Sequence, residues 1–213
     1  MKVARFEFML FGINTYVVYD PDTRDCAVID PAMMGEEEEK AMDGFIERER
    51  LKVTHVINTH LHIDHSIGNR YMTEKYHVPV LAHKADEPLG DNLTSQARMF
   101  GLGVEAANVS ISQYIEDGDE IRIGNGTLKA MHVPGHSPGS IVLYDPKDGF
   151  VIAGDVLFNG SIGRTDLMGG SMPQLLKGIR EKLLVLPDDT VVYPGHGEPT
   201  TIGAERRSNP FLQ

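Results

Sequence analysis

The chain has 213 residues, 41% of them apolar and 24% charged, enough for one substantial core and an expected single domain over 1–213. Its net charge of −11, with no Lys/Arg-rich patch to offset it, argues against a nucleic-acid partner. The single cysteine, Cys26, excludes an internal disulfide framework, and no stretch reaches membrane-spanning length, so a cytoplasmic protein with no membrane partner is expected.

Residues 3–10 and 12–19, rich in Val, Phe, Tyr and Ile and separated by Gly12, predict two paired strands. Asp20-Pro21-Asp22-Thr23 is a turn, and residues 25–30 a third strand ending at Asp30. A carboxylate there could orient a ligand histidine from behind or cap the next turn. Residues 36–50 have helical spacing, with Met42, Phe45 and Ile46 on one face and Glu36–Glu39 at the positive end of the helix dipole.

The apolar run 53–58 predicts a buried strand, and it leads into Thr59-His60-Leu61-His62-Ile63-Asp64-His65. In an extended segment alternate side chains share a side, so His60 and His62 can grip one ion, while Asp64 and His65 reach a second ion beside it. Imidazole and carboxylate suit zinc, iron or manganese. A helix from about 67 to 76 and a short strand at 78–81 follow. Residues 84–103 read as irregular to helical, either a lid over the site or a surface helix covering a sheet edge.

Strand patterns resume at 119–123, 127–133, 140–145 and 150–154, with Asn125-Gly126 as a hairpin signal. An amphipathic helix is expected over 172–184, a last strand at 190–193, and a closing helix after Thr200/Thr201 with Glu205 within reach of its cap. Strands then helices, twice over, imply an α/β fold: a four-layer αββα sandwich of two similar halves, each with a mixed β-sheet. Three later strand-end loops each carry one potential ligand in a frame of small residues: His136 in Val133–Gly139, Asp155 after Ala153-Gly154, and His196 after Tyr193-Pro194-Gly195.

His60-x-His62-x-Asp64-His65, then His136, Asp155 and His196, resemble the five-motif pattern of the metallo-β-lactamase fold hydrolases over nearly the whole chain. The resemblance implies one ion on His60, His62 and His136, a second on Asp64, His65 and His196, and Asp155 bridging them, with Asp30 behind the ligands. Gly160–Asp166 and the Thr200–Phe211 segment resemble the short glyoxalase II-like branch, which implies hydrolysis of S-lactoylglutathione-like thioesters with two divalent ions, zinc first and iron or manganese as alternatives. A water held by two cations ionises near neutral pH and can attack a thioester carbonyl, and a thiol of pKa about 8.5 leaves without a strong general acid. Asp64 is read as a ligand first, with proton transfer as a further catalytic role.

Arg164 stands where long glyoxalase II enzymes keep a basic residue for a glutathione carboxylate; its two readings are a substrate fork and an internal ion pair with Asp166. The sequence departs from those enzymes at Asp166, where they have an aromatic residue, at Ile67, often Gly in the family, and in the short stretch 197–213 after His196. Gly163-Arg164-Thr165-Asp166 is shared with mononuclear iron persulfide dioxygenases, which gives the alternative activity. A lactone or ester hydrolase and a non-catalytic scaffold complete the alternatives. His55, His77, His83 and His132 are expected in structural roles, and Tyr16 in the core or at the substrate mouth.

Overall fold

The computed structural model describes residues 1–8, 12–103 and 106–213. Six strands lie side by side in chain order in a first sheet: β1 (Lys2–Phe8), β2 (Ile13–Tyr19), β3 (Asp25–Ile29), β4 (Lys52–Ile57), β5 (Val80–Ala82) and β6 (Gln113–Tyr114). The first three are antiparallel, whereas β3 to β6 run parallel. Parallel neighbours need crossovers. These are α1 (Glu36–Arg48), then α2 (Ile63–Ser66) with α3 (Asn69–Tyr76), then α4 (Glu87–Gly90) with α5 (Leu93–Met99).

The second half contains β7 (Glu120–Ile123), β8 (Gly126–His132), β9 (Ile141–Asp145), β10 (Phe150–Gly154), a small ribbon of β11 (Leu157–Phe158) and β12 (Ser161–Ile162), α6 (Met172–Gly178), β13 (Val191–Pro194), β14 (Thr200–Thr201) and α7 (Ile202–Ser208). Its sheet is ordered β14-β13-β10-β9-β8-β7, with only the β10–β13 pair parallel.

Strand periodicity produces the layers. Tyr16 and Val18 of β2, Ala27 and Ile29 of β3 and Ile57 of β4 point to one side, where they meet Ile121, Leu128, Ala130, Ile141, Leu143 and Ile152 of the second sheet. The intervening Val17, Cys26, Val28 and Val56 face outward onto Met42 and Ile46 of α1 and Met72 of α3. On the far side Val142, Val151 and Val192 meet Leu175, Ile179 and Ile202. This is the expected αββα sandwich, and it needs sheets that are apolar on both faces, which explains why β2 is buried along its whole length.

Several expected boundaries move. The last two residues of the expected strand 3–10 lie outside the described residues; its described part ends at Phe8. The helix expected at 67–76 is α3, which starts at Asn69, and the separate turn α2 precedes it; at Gly68, between the two, a side chain would meet the Pro31 carbonyl at 2.8 Å. The helix expected at 172–184 is α6 continued by a π-helical turn, Ile179–Leu183. Thr201 caps α7 by accepting from the Ala204 N–H. Glu205 does not cap that helix; its carboxylate accepts from Thr200 Oγ1, the Gly160 N–H and Asn209 Nδ2. No helix among the described residues is long and apolar enough to cross a membrane.

Candidate metal centre

The seven ligand candidates converge at one edge of the sandwich, on loops that leave β4, β8, β10 and β13. His60 Nε2 lies 3.2 Å from His136 Nε2, which lies 2.9 Å from His62 Nδ1. His65 Nε2 is 3.3 Å from Asp155 Oδ1 and 3.9 Å from Asp64 Oδ2, and His196 Nε2 is 3.4 Å from Asp64 Oδ2. Asp155 Oδ2 stands between the groups, 3.5 Å from His136 Nε2 and 3.6 Å from His196 Nε2. The segment bends at Thr59–His60 instead of staying extended, yet His60 and His62 still converge.

Hydrogen bonds on the outer side of the cluster fix the rings. The Thr59 hydroxyl donates to Asp30 Oδ2 at 2.6 Å, so its contact with His60 Nδ1 at 3.2 Å requires the imidazole N–H to donate. His65 Nδ1 donates to Asp30 Oδ2 at 3.0 Å, and His136 Nδ1 to the Arg164 carbonyl at 2.8 Å. The Nε2 atoms of His60, His65 and His136 are left facing inward. Asp30 thus serves as the orienting carboxylate, with a left-handed backbone (φ 51) that brings both its oxygens to the loop.

A cation fits this arrangement. Nitrogens around a tetrahedral metal ion sit about 3.3 Å apart when each bond is about 2.0 Å. The buried atoms His65 Nε2 and Asp155 Oδ1 meet no hydrogen-bond partner although they face each other. Acceptor atoms crowded this closely repel unless a proton or metal lies between them.

Charge divides the cluster. Burial and the neighbouring histidines keep the His60 imidazole well below its usual pKa, and burial with His136 takes His62 to about 4; both are neutral, as ligands must be. Burial also acts to neutralise His65, but Asp155, Asp64 and Asp30 outweigh it and raise it well above the ordinary value. Burial opposes ionisation of Asp155, yet His65, His136 and His196 hold its carboxyl well below the usual range.

The cluster opens onto a cleft of about 450 Å³. Phe100, Phe158, Ile162 and Leu167 line its walls, and Arg164 stands at the mouth. Arg164 Nε and one terminal nitrogen each donate to an Asp166 carboxylate oxygen at 2.7 Å, so of its two readings the structure displays the internal ion pair. That pair lowers the Asp166 carboxyl to about 2.

A family model for the metallo-beta-lactamase superfamily matches residues 9–196. The chain belongs to that superfamily. It is 36% identical to hydroxyacylglutathione hydrolase GloC of Haemophilus influenzae, over all of this chain and 98% of that protein. The crystal structure of BLEG-1, a B3 metallo-β-lactamase, superposes with a TM-score of 0.88 at 33% identity over the whole of both chains. TTHA1623 in a di-iron-bound form gives a TM-score of 0.87 at 33% identity, over 99% of this chain and all of that one. The chain is therefore a metal-dependent hydrolase of the metallo-β-lactamase superfamily.

Two positioning residues of this superfamily member escaped the sequence reading. Asp86 is fully buried behind the ligands and accepts from the Leu61 N–H, Ser137 Oγ and the Gly139 N–H, tying the His60–His62 loop of one sheet to the His136 loop of the other. Gln96 of α5 accepts from the Ile63 N–H and donates to the Leu89 carbonyl. Thus α5 buttresses the ligand loop, and the residue that follows it, Phe100, lines the cleft. Asn14 donates to the Pro194 and Gly197 carbonyls and Tyr16 to Pro194, so Tyr16 is a core residue supporting the His196 loop. His132 donates through Nε2 to the Pro138 carbonyl and stacks on His83, a structural role behind the His136 loop. His55 contacts Thr54 Oγ1, and His77 ends α3 in a left-handed conformation.

Proposed function

We propose that the chain is a dinuclear thioester hydrolase of the glyoxalase II type, with zinc as its metal and S-lactoylglutathione-like thioesters as the starting substrate class. One observation carries this reading: the seven side chains meet as two trios with a carboxylate between them. His60, His62 and His136 would hold one ion, Asp64, His65 and His196 the other, and Asp155 would touch both. The 36% identity to a hydroxyacylglutathione hydrolase supports the same direction.

Two bound divalent ions would supply an ionised water at neutral pH and positive charge beside the substrate carbonyl. The chain's own residues do the rest. Asp30, Thr59 and the Arg164 carbonyl fix ring orientation, so the seat needs little rearrangement when substrate arrives. His60 and His65 are buried, which keeps bulk water from the floor. Asp64 lies on the more open side, its side chain 17% exposed, and is the carboxylate placed to accept a proton after attack. The leaving thiolate needs no strong acid, because a thiol pKa is about 8.5.

Elemental analysis of the purified protein, paired with a thioester screen that starts from S-lactoylglutathione, tests the reading. Two metal ions per chain with thioester turnover are expected. Two ions without turnover of any thioester would overturn it. One iron per chain with oxygen consumption on glutathione persulfide would replace it by the dioxygenase alternative.

A further inference from the structure

The cleft above the ligands carries more apolar surface than hydrolytic chemistry requires. Four separate segments contribute: Phe100 from the residue following α5, Phe158 from β11, Ile162 from β12, and Leu167 from the loop beyond. Phe100 remains 44% exposed, although aromatic rings gain free energy by leaving water. Arg164 is the one cationic side chain among the described residues lining the cleft. Its planar fork, the feature that makes arginine a carboxylate receptor, is already filled by both oxygens of Asp166. A thiol bearing several carboxylates would approach a chain of net charge −11 and find the arginine of the cleft already engaged.

We propose that this mouth selects thioesters that are uncharged on the thiol side and carry a medium-length aliphatic or aryl acyl group, with Phe158, Ile162 and Leu167 as the acyl wall and Asp166 withholding Arg164 from substrate carboxylates. The proposal rests on the thioester-hydrolase reading above and replaces its starting substrate, the S-lactoylglutathione class, by neutral-thiol esters as the preferred ones. Glutathione esters would rest their acyl group on the same wall but meet no free arginine fork for their carboxylates.

Uncleavable thioethers separate recognition from turnover. Calorimetry on the metal-loaded protein would compare S-hexyl with S-methyl groups, each on N-acetylcysteamine and on glutathione. The hexyl group should bind about tenfold tighter than methyl on the same thiol. At equal S-substituent the neutral thiol should bind more tightly than glutathione. Leu167→Ala and Phe158→Ala should each remove most of the hexyl gain, and Asp166→Asn should tighten S-hexylglutathione about threefold while leaving the neutral ligand unchanged. Tighter binding of the glutathione ligands, or a hexyl gain that survives in both alanine variants, would overturn the proposal. Turnover of the matching thioesters then distinguishes the two claims. Thioether selectivity as expected, with no thioester cleaved, would sink the hydrolase reading and leave the mouth assignment standing. Faster cleavage of S-lactoylglutathione than of S-hexanoyl-N-acetylcysteamine would sink the selectivity and leave the hydrolase reading standing.

Discussion

The floor of the site and its mouth obey different physics. On the floor, Asp155 is 11% exposed and His65 fully buried, each held by charges and hydrogen bonds that water does not screen. At the mouth Arg164 and Asp166 are 60% and 68% exposed, and their ion pair competes with solvent at every moment. Glycines mark the boundary. A side chain at Gly195 would overlap both Asp155 Oδ1 and the His65 ring, so the His196 loop can close on the floor only because that position has none. The difference teaches where each kind of function can reside: chemistry needs the rigid, desolvated floor, whereas substrate choice can drift at the mouth without disturbing it.

That contrast can be broken or sharpened by substitution. The largest effect is expected for Asp155→Asn, which keeps the shape but removes the charge shared by both trios; turnover should fall about a thousandfold, and elemental analysis should show less metal per chain. Asp86→Ala leaves the Leu61 and Gly139 N–H groups buried without their acceptor. Urea denaturation should show a loss of about 3 kcal/mol, where a change below 1 kcal/mol would mean the two ligand loops do not depend on this brace. Asp30→Asn tolerates the left-handed backbone but weakens the hold on His65 and Thr59. Metal affinity, measured by chelator competition, should drop about 10–100-fold with stability little altered.

A smaller effect belongs to the outer helices, where Asp43 of α1 accepts from Tyr71, Tyr76 and Lys75 of α3. Burial works to raise this carboxyl, but the three donors outweigh it and lower its pKa. Its stabilisation is therefore present above the unfolded carboxylate pKa of about 3.9 and is lost as pH falls through the lower folded value. Asp43→Asn should cost about 1–2 kcal/mol at neutral pH and almost nothing in strong acid, which pH-resolved denaturation would read directly. The smallest effect is expected at the mouth itself: Arg164→Ala should leave the denaturation midpoint where it is, and a clear shift would mean the mouth is built like the floor.

Local pattern made much of this protein legible. Alternating and continuous apolar runs marked the main strands, because burial between two layers leaves a period the eye can follow. The ligand set was visible because His60, His62, His136, Asp155 and His196 follow strands in short, distinctive segments, with Asp64 and His65 in the helical turn α2 directly after the first of them. Asp86 and Gln96 were not visible, since their partners are backbone N–H and C=O groups tens of residues away, which look alike at every position in a sequence. The start of α3 only beyond Gly68 was hidden for a related reason: that glycine packs against the carbonyl of Pro31 across the fold.

By itself, then, the sequence determined the layered architecture and the identity of the metal-ligand candidates, because both follow from which side chains can leave water and which carry lone pairs. Only the tertiary structure decided which nitrogen of each imidazole faces inward, which residues brace the ligand loops, and that Arg164 is engaged by Asp166. Those are questions of distance and direction between remote segments, and no property of a residue type settles them until the chain has folded.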